Sequence, residues 1–327
     1  MSAAIKAVSY YLPPHVLSND DINQEFPEWS VDKIARKTGI LERHIADSDV
    51  CSSDLGVESA KRLFDEYGID PASIDFLLFC TQSPDYFLPT TACLMQERLG
   101  IPETAGALDF NLGCSGFVYG LSLARGLVES GDAANVLLIT AETYSKFMHP
   151  RDKSVRTIFG DGAAATLVGN GAGGSLGPFV FGTDGRGGRN LIVPTGGMRK
   201  PRAQEGGETS ADDALFMDGT EVFNFTLQRV PRMVIELMAK AGVTDDDIDL
   251  YIFHQANAWM LEALRKKLRI PESKFFVSMA TCANTVSATI PIALHEAMAK
   301  ERVRPGSRVL MAGFGVGYSW AGCIARF

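Results

Sequence analysis

The stretch LDFNLGCSGFVYGLSLARGLVESG, residues 108–131, sets Cys114 between a strand-like apolar run and a helix-like one, with Gly113 and Gly116 close by. A cysteine at a helix start meets unpaired backbone N–H groups and the positive end of the dipole, which lower the thiol pKa and make a nucleophile. The competing reading is inert packing, because cysteine is among the most often buried residue types. The two glycines favour reactivity, since they suit a tight strand-to-helix turn and close approach of a ligand to backbone. His254 closes the run LYIFHQAN at a strand end, where α/β folds meet ligands; the other four of the five histidines lie in turn-like or helical segments. It is the candidate acid, base or hydrogen-bond donor, against the alternative of a satisfied structural histidine. Asn284 begins the next long helical run, where an asparagine is by default an N-cap, and Cys282 two residues earlier is a rival nucleophile.

Two glycine-rich stretches compete for attention. GNGAGG, residues 169–174, satisfies the dinucleotide fingerprint, but the following SLGPFVFG reads as a strand rather than the helix such a site needs, so a nicotinamide cofactor is rejected. GFGVGYSWAGC near residue 320 is either a hairpin or a loop offering backbone N–H groups to an oxyanion. The order Cys, His, Asn also fits a papain-type hydrolase. That class requires a C-G-[SA]-C-[WY] signature, which this sequence lacks.

The elements that must position these residues occur twice. YGIDPASIDFLLFCTQ (67–82) aligns with AGVTDDDIDLYIFHQ (241–255), RLGIPE (98–103) with KLRIPE (267–272), and ANVLLIT (134–140) with SRVLMAG (307–313). The offsets stay near 170 residues and the order is kept, so each half reads as strand, helix, strand, loop, long helix, strand. Alternation of short apolar runs with helical patterns indicates layered α/β sheets. Phe117, Leu121, Ala124 and Val128 share one face of the helix after Cys114, and Pro291 should kink its counterpart or mark its first turn. The Gly-rich region from about 169 to 207 is expected to form hairpins and loops between the halves.

With 327 residues, 46% hydrophobic and 21% charged, the chain suits one large or two fused globular domains. A net charge of −8 argues against nucleic-acid binding. The six scattered cysteines contain no C-x-x-C pair and fit reduced thiols rather than a metal site. No apolar run reaches bilayer length and residues 1–16 lack a leader pattern, which gives the expectation of a cytoplasmic protein without membrane contact.

Six motifs, KTGILERHI (37–45), GCSGFVYGLSLA (113–124), FGDGAAA (159–165), FHQAN (253–257), NTVSATIP (284–291) and GFGVGYSWAGCIARF (313–327), together resemble the β-ketoacyl-acyl carrier protein synthase III family of thiolase-superfamily condensing enzymes. The resemblance implies a thiolase-like α-β-α-β-α sandwich of two pseudo-duplicated halves, residues 1–172 with the cysteine and 173–327 with His and Asn. It implies a triad of Cys114, His254 and Asn284, an oxyanion hole from the backbone of Cys114 and Val316, and no metal or bound cofactor. Acyl-coenzyme A would acylate Cys114, and malonyl-acyl carrier protein would then condense with loss of carbon dioxide, in a homodimer. By the same resemblance Lys33, Lys37, Thr38, Lys153, Met217, Gly219, Phe223, Ala256 and Asn257 would bind coenzyme A.

Departures from the family pattern are local. Lys33 stands where a tryptophan is expected, with Trp29 offset; Trp259 replaces an arginine, leaving Arg265, Lys266 and Lys267 as the basic cluster for an acidic carrier; Cys282-Ala283 replaces His-Gly; and Val316 replaces a glycine. Leu88 stands where an aromatic side chain from the partner subunit closes the acyl pocket, which suggests a longer or branched primer. Alternative readings keep the acyl-cysteine with another acceptor, by O- or N-acyl transfer or non-decarboxylative condensation in a secondary-metabolite pathway, or make the chain a silent partner subunit.

Overall fold

The computed structural model describes residues 2–171, 173–201 and 210–327. The strands of the two five-stranded sheets are β1 (Ala3–Tyr11), β2 (Phe76–Cys80), β3 (Gly106–Phe110), β4 (Asn135–Glu142), β5 (Gly162–Asn170), β6 (Ser175–Thr183), β7 (Leu250–Phe253), β8 (Phe275–Phe276), β9 (Arg308–Gly315) and β10 (Ser319–Arg326). The helices that layer them are α1 (Ser52–Tyr67), α2 (Thr91–Leu99), α3 (Gly116–Ser130), α4 (Gly219–Ala241), α5 (Ala258–Leu268) and α6 (Thr289–Ala299).

The two sheets repeat one topology: the first runs β1-β5-β4-β2-β3 and the second β6-β10-β9-β7-β8. In each, the last three strands are parallel and the first two antiparallel. Strands such as FLLFC and LYIF are continuous apolar runs, as parallel strands covered on both faces require. Helices α3 and α6 supply the cover between the sheets, where Phe117, Leu121, Ile290 and Leu294 pack with Leu78 and Leu138 of one sheet and Ile252 and Met311 of the other. α1 and α2 cover the outer face of the first sheet, and α4 and α5 that of the second. The result is the α-β-α-β-α sandwich expected.

Three details differ from the sequence reading or sharpen it. Pro291 is the third residue of α6, within the first turn, where a missing N–H costs no intrahelical bond. β5 and β6 belong to different sheets rather than forming a hairpin, and the loops of the connecting region follow β6; Gly206 and Gly207 lie outside the described residues. Asn284 does not cap α6, whose N-cap is Ala288: positive φ at Ala283 and Val286 carries the chain through a 3-10 turn, Val286–Ala288, before the helix begins. Among the described residues no helix is long and apolar enough to cross a membrane.

Candidate active site

Each of the three chemical residues sits at the end of a buried strand or the start of a central helix. Cys114 lies in the turn between β3 and α3, His254 follows β7, and Asn284 leads into α6. All three line one cavity of about 410 Å³, with Phe314, Gly315, Phe159 and Leu191 in its wall. The turn at Cys114 is tight because glycines surround it. A Cβ on Gly315 would lie 2.8 Å from Cys114 Sγ, and one on Gly313 would lie 2.7 Å from the Cys114 carbonyl oxygen.

The environment of Cys114 corrects one expectation. Burial, reinforced by the Glu142 carboxyl, pushes its thiol up to about 12, while the backbone N–H groups of Val316 and of Cys114 itself pull it back. The helix start therefore does not yield a resting thiolate; desolvation outweighs the backbone donors. The same two N–H groups are the pair expected to face an oxyanion. Ser115 Oγ meets Ser319 Oγ at 2.7 Å, and Ser319 Oγ donates to the Val316 carbonyl at 2.9 Å, so the nucleophile turn and the β9–β10 turn are fastened together. That pair of serines carried no sequence signal apart from flanking Cys114 and the glycine-rich turn. GFGVGYSWAGC is thus a hairpin whose tip also serves the site.

His254 is buried, edge-on to Phe314 with ring centroids 5.6 Å apart, and burial pulls its pKa down to about 3. The imidazole is neutral at neutral pH. Its Nδ1 lies 2.7 Å from Thr289 Oγ1, which is placed to donate to the Val286 carbonyl at 3.1 Å. A hydroxyl both donates and accepts, so Thr289 supports either tautomer: Nε2 as proton acceptor when Nδ1–H is donated, or as donor when the hydroxyl turns. Asn284 Oδ1 accepts the Val286 N–H at 2.9 Å, which fixes the amide flip and leaves Nδ2 as the donor side, 3.4 Å from the Ala256 carbonyl.

The rival Cys282 is absent from the cavity. It is buried against Tyr10, Ala164 and Ile292, its Sγ donating to the Ser278 carbonyl at 3.2 Å, and burial pushes its thiol up to about 12.

Met217, Gly219, Phe223, Ala256 and Asn257 line the same cavity as Cys114. Lys33, Lys37, Thr38 and Lys153 do not. Lys33 and Lys37 sit over the Trp29 ring at 5.0 and 5.5 Å, Lys153 pairs with Glu28, and Thr38 is turned inward, its hydroxyl spent on the Ile34 carbonyl and the Ile40 N–H. Trp259 stacks on Phe223 at the cavity wall, centroids 4.1 Å apart. Arg265 and Lys266 both pair with Glu262. Leu88 is 81% exposed and takes no part in the cavity of its own chain.

A thiol addressed by two backbone N–H groups, a neutral imidazole and an amide converge in one cavity of a duplicated thiolase-like sandwich, the arrangement an acyl-transferring condensing enzyme needs. The family model described as 3-oxoacyl-[acyl-carrier-protein] synthase III matches residues 108–185, and its C-terminal counterpart matches 238–327. A beta-ketoacyl-[acyl-carrier-protein] synthase III of Caldanaerobacter subterraneus is 38% identical over all of this chain and 98% of its own. A crystal structure of a 3-oxoacyl-(acyl-carrier-protein) synthase III superposes with TM-score 0.96 at 52% identity over the whole of both chains. The corresponding enzyme from Thermus thermophilus gives 0.90 at 35% identity over 99% of each. The chain belongs to the 3-oxoacyl-acyl carrier protein synthase III family.

Proposed function

We propose that the chain primes fatty-acid synthesis by a two-step reaction at Cys114. As an acyl-coenzyme A enters, the thiol gives its proton to His254 Nε2 and attacks the thioester carbonyl. The oxyanion forms between the N–H groups of Cys114 and Val316, and the coenzyme A thiolate leaves with the proton. Malonyl-acyl carrier protein follows. Its thioester carbonyl is held by Nδ2–H of Asn284 and by Nε2–H of His254, in the tautomer whose Nδ1 accepts from Thr289 Oγ1. Carbon dioxide departs, and the enolate attacks the acyl-cysteine, giving a β-ketoacyl thioester and expelling a Cys114 thiolate that takes its proton from water. The chemistry asks for no metal or bound redox cofactor; acyl-coenzyme A is a substrate.

The observation that carries this reading is the single cavity in which two backbone N–H groups address the Cys114 sulfur while a neutral His254 and the donor side of Asn284 face the same space. The residues that bind coenzyme A are, on this reading, Met217, Gly219, Phe223, Ala256 and Asn257. Residues 1–172 and 173–327 act as nucleophile half and carbonyl-binding half of a cytoplasmic enzyme. Homodimer formation is supported by β3, an edge strand bearing Leu108 at 45% exposure, and by Tyr86, Phe87 and Leu88, which expose 61%, 74% and 81%. In such a dimer Leu88 of one copy closes the acyl pocket of the other.

The roles separate by variant. Cys114→Ala is expected to keep malonyl-carrier decarboxylation while losing acyl loading, and Asn284→Ala to keep loading while losing decarboxylation. Loss of both activities in both variants would contradict the division of labour.

A further inference from the structure

We infer that Glu142 is a positioning residue for this reaction: its buried carboxyl ties the loop beneath the Cys114 turn to the loop that carries Asn284. The inference rests on Cys114 being the acylated thiol. Glu142 ends β4 fully buried, and among the described residues no Lys, Arg or His pairs with it. It accepts from the Gln82 backbone N–H at 3.0 and 3.2 Å, the Ser83 hydroxyl at 3.1 Å and the Ser287 hydroxyl at 3.0 Å. Gln82 and Ser83 follow β2; Ser287 lies in the turn three residues beyond Asn284.

Those partners flank the nucleophile turn. A Cβ on Gly113 would sit 2.4 Å from Gln82 Oε1, and one on Gly116 would sit 3.7 Å from Ser287 Cβ. One carboxyl therefore links the two halves of the molecule at the point where the thiol and the amide must keep their spacing. A displacement of about 1 Å at such a point can cost on the order of a hundredfold in rate.

The charge state of the clamp reaches the thiol as well. Burial pushes Glu142 up to about 8, partly offset by its donors. The titratable groups facing it are Cys114, Cys80 and Tyr144, each raised by burial with a further contribution from Glu142; Thr81, Gln82, Ser83 and Ser287 are neutral. Near neutral pH the carboxyl is protonated, its O–H donating to one of the serine hydroxyls, which reverses that bond and leaves the clamp intact and uncharged. Above about 8 its negative charge opposes formation of the Cys114 thiolate.

Two variants test this. Glu142→Gln keeps the shape and the acceptor but never ionises; Ser287→Ala cuts the tie on the Asn284 side alone. Iodoacetamide alkylation mapped to Cys114 is followed by mass spectrometry from about pH 6 to about pH 10, beside acyl loading and carbon dioxide release. The expected result is Cys114 alkylation about tenfold faster in Glu142→Gln than in the unsubstituted protein at about pH 10, where the carboxyl is ionised, with the two rates converging as the pH falls below about 7. Ser287→Ala is expected to load normally but release carbon dioxide about tenfold more slowly, an effect of the order seen when supporting partners are removed. An unchanged alkylation rate at about pH 10 in Glu142→Gln, or an unchanged loading-to-release ratio in Ser287→Ala, overturns the inference. Failure of the unsubstituted protein to load at Cys114 overturns instead the reading on which it rests.

Discussion

Gly315→Ala tests the steric logic of the site. The added Cβ would lie 2.8 Å from Cys114 Sγ and 2.9 Å from Cys114 Cβ, closer than side-chain carbons approach one another. The φ of Gly315 is not in the left-handed region, so the whole penalty is the collision. Neither party can retreat easily: Gly315 ends β9, held between β7 and β10, and Cys114 is 5% exposed. Overpacking of this kind costs about 1–3 kcal/mol. For a chain of this size that is a fall in melting temperature of roughly 1.5–4.5 °C. The shift also moves the neighbouring Val316 N–H away from the oxyanion, and losing one such donor costs on the order of a hundredfold or more in rate. Differential scanning calorimetry and the time course of acyl-enzyme formation by intact mass read the two effects. A variant that melts like the unsubstituted protein and loads within about threefold of its rate would refute the reasoning. Gly126→Ala is the counterpart: it lies in α3 with no atom within 4 Å of the added carbon, and it should gain about 0.5–1 kcal/mol with loading unchanged.

Other outcomes follow from the same geometry. Thr289→Val removes the partner of His254 Nδ1 and should slow the reaction about 10- to 100-fold without changing the acyl-coenzyme A Kd, checked by single-turnover kinetics and calorimetry. Trp259→Arg places a cation beside Phe223 at the cavity; it should lower KM for the acidic malonyl carrier several-fold at low salt, with the gain vanishing as ionic strength rises. Stability should depend on pH through two buried groups. The folded pKa of His254, about 3, lies below its ordinary 6.5, so its neutral form stabilises the fold and that stability is lost as pH falls through this window. Glu142, about 8 against an ordinary 4.5, favours the protonated form, so stability is lost as pH rises toward 8. The two effects offset between about pH 4.5 and 6.5, and above that the Glu142 effect alone removes about 2 kcal/mol by pH 8. Urea titrations across this range should show the alkaline decline in the unsubstituted protein and lose it in Glu142→Gln.

The duplicated pattern of Ile74-Asp75 and Ile248-Asp249 exposed the architecture because each half must bury the same apolar strands, and apolar period and spacing are written directly in sequence. Cys114 and His254 were legible for the same reason: strand ends and flanking glycines have local signatures. What sequence alone hid is what depends on contacts between distant residues. Glu142 meets Ser287 across 145 residues and Ser115 meets Ser319 across 204. The raised thiol of Cys114 was misread from its helix start because burial, a property of the assembled sandwich, outweighs the local dipole. Asn284 was read as a helix cap because nothing in TCANTVSATIP announces the positive φ of Ala283 and Val286. Lys33, Lys37, Thr38 and Lys153 lie outside the cavity of Cys114, and nothing local in the sequence announces their contacts with Trp29, Glu28 and neighbouring backbone.

The central claim is that Cys114 carries an acyl group which malonyl-acyl carrier protein removes. Incubation with acyl-coenzyme A thioesters from acetyl to long-chain, followed by malonyl-acyl carrier protein, with intact and peptide mass spectrometry at each stage, measures it directly. The account predicts that a subset of chain lengths adds to the protein, maps to Cys114, and is discharged with release of carbon dioxide and appearance of a β-ketoacyl carrier. Acyl groups that load but stay on Cys114 when the malonyl carrier is added, or that pass only to water, would contradict it.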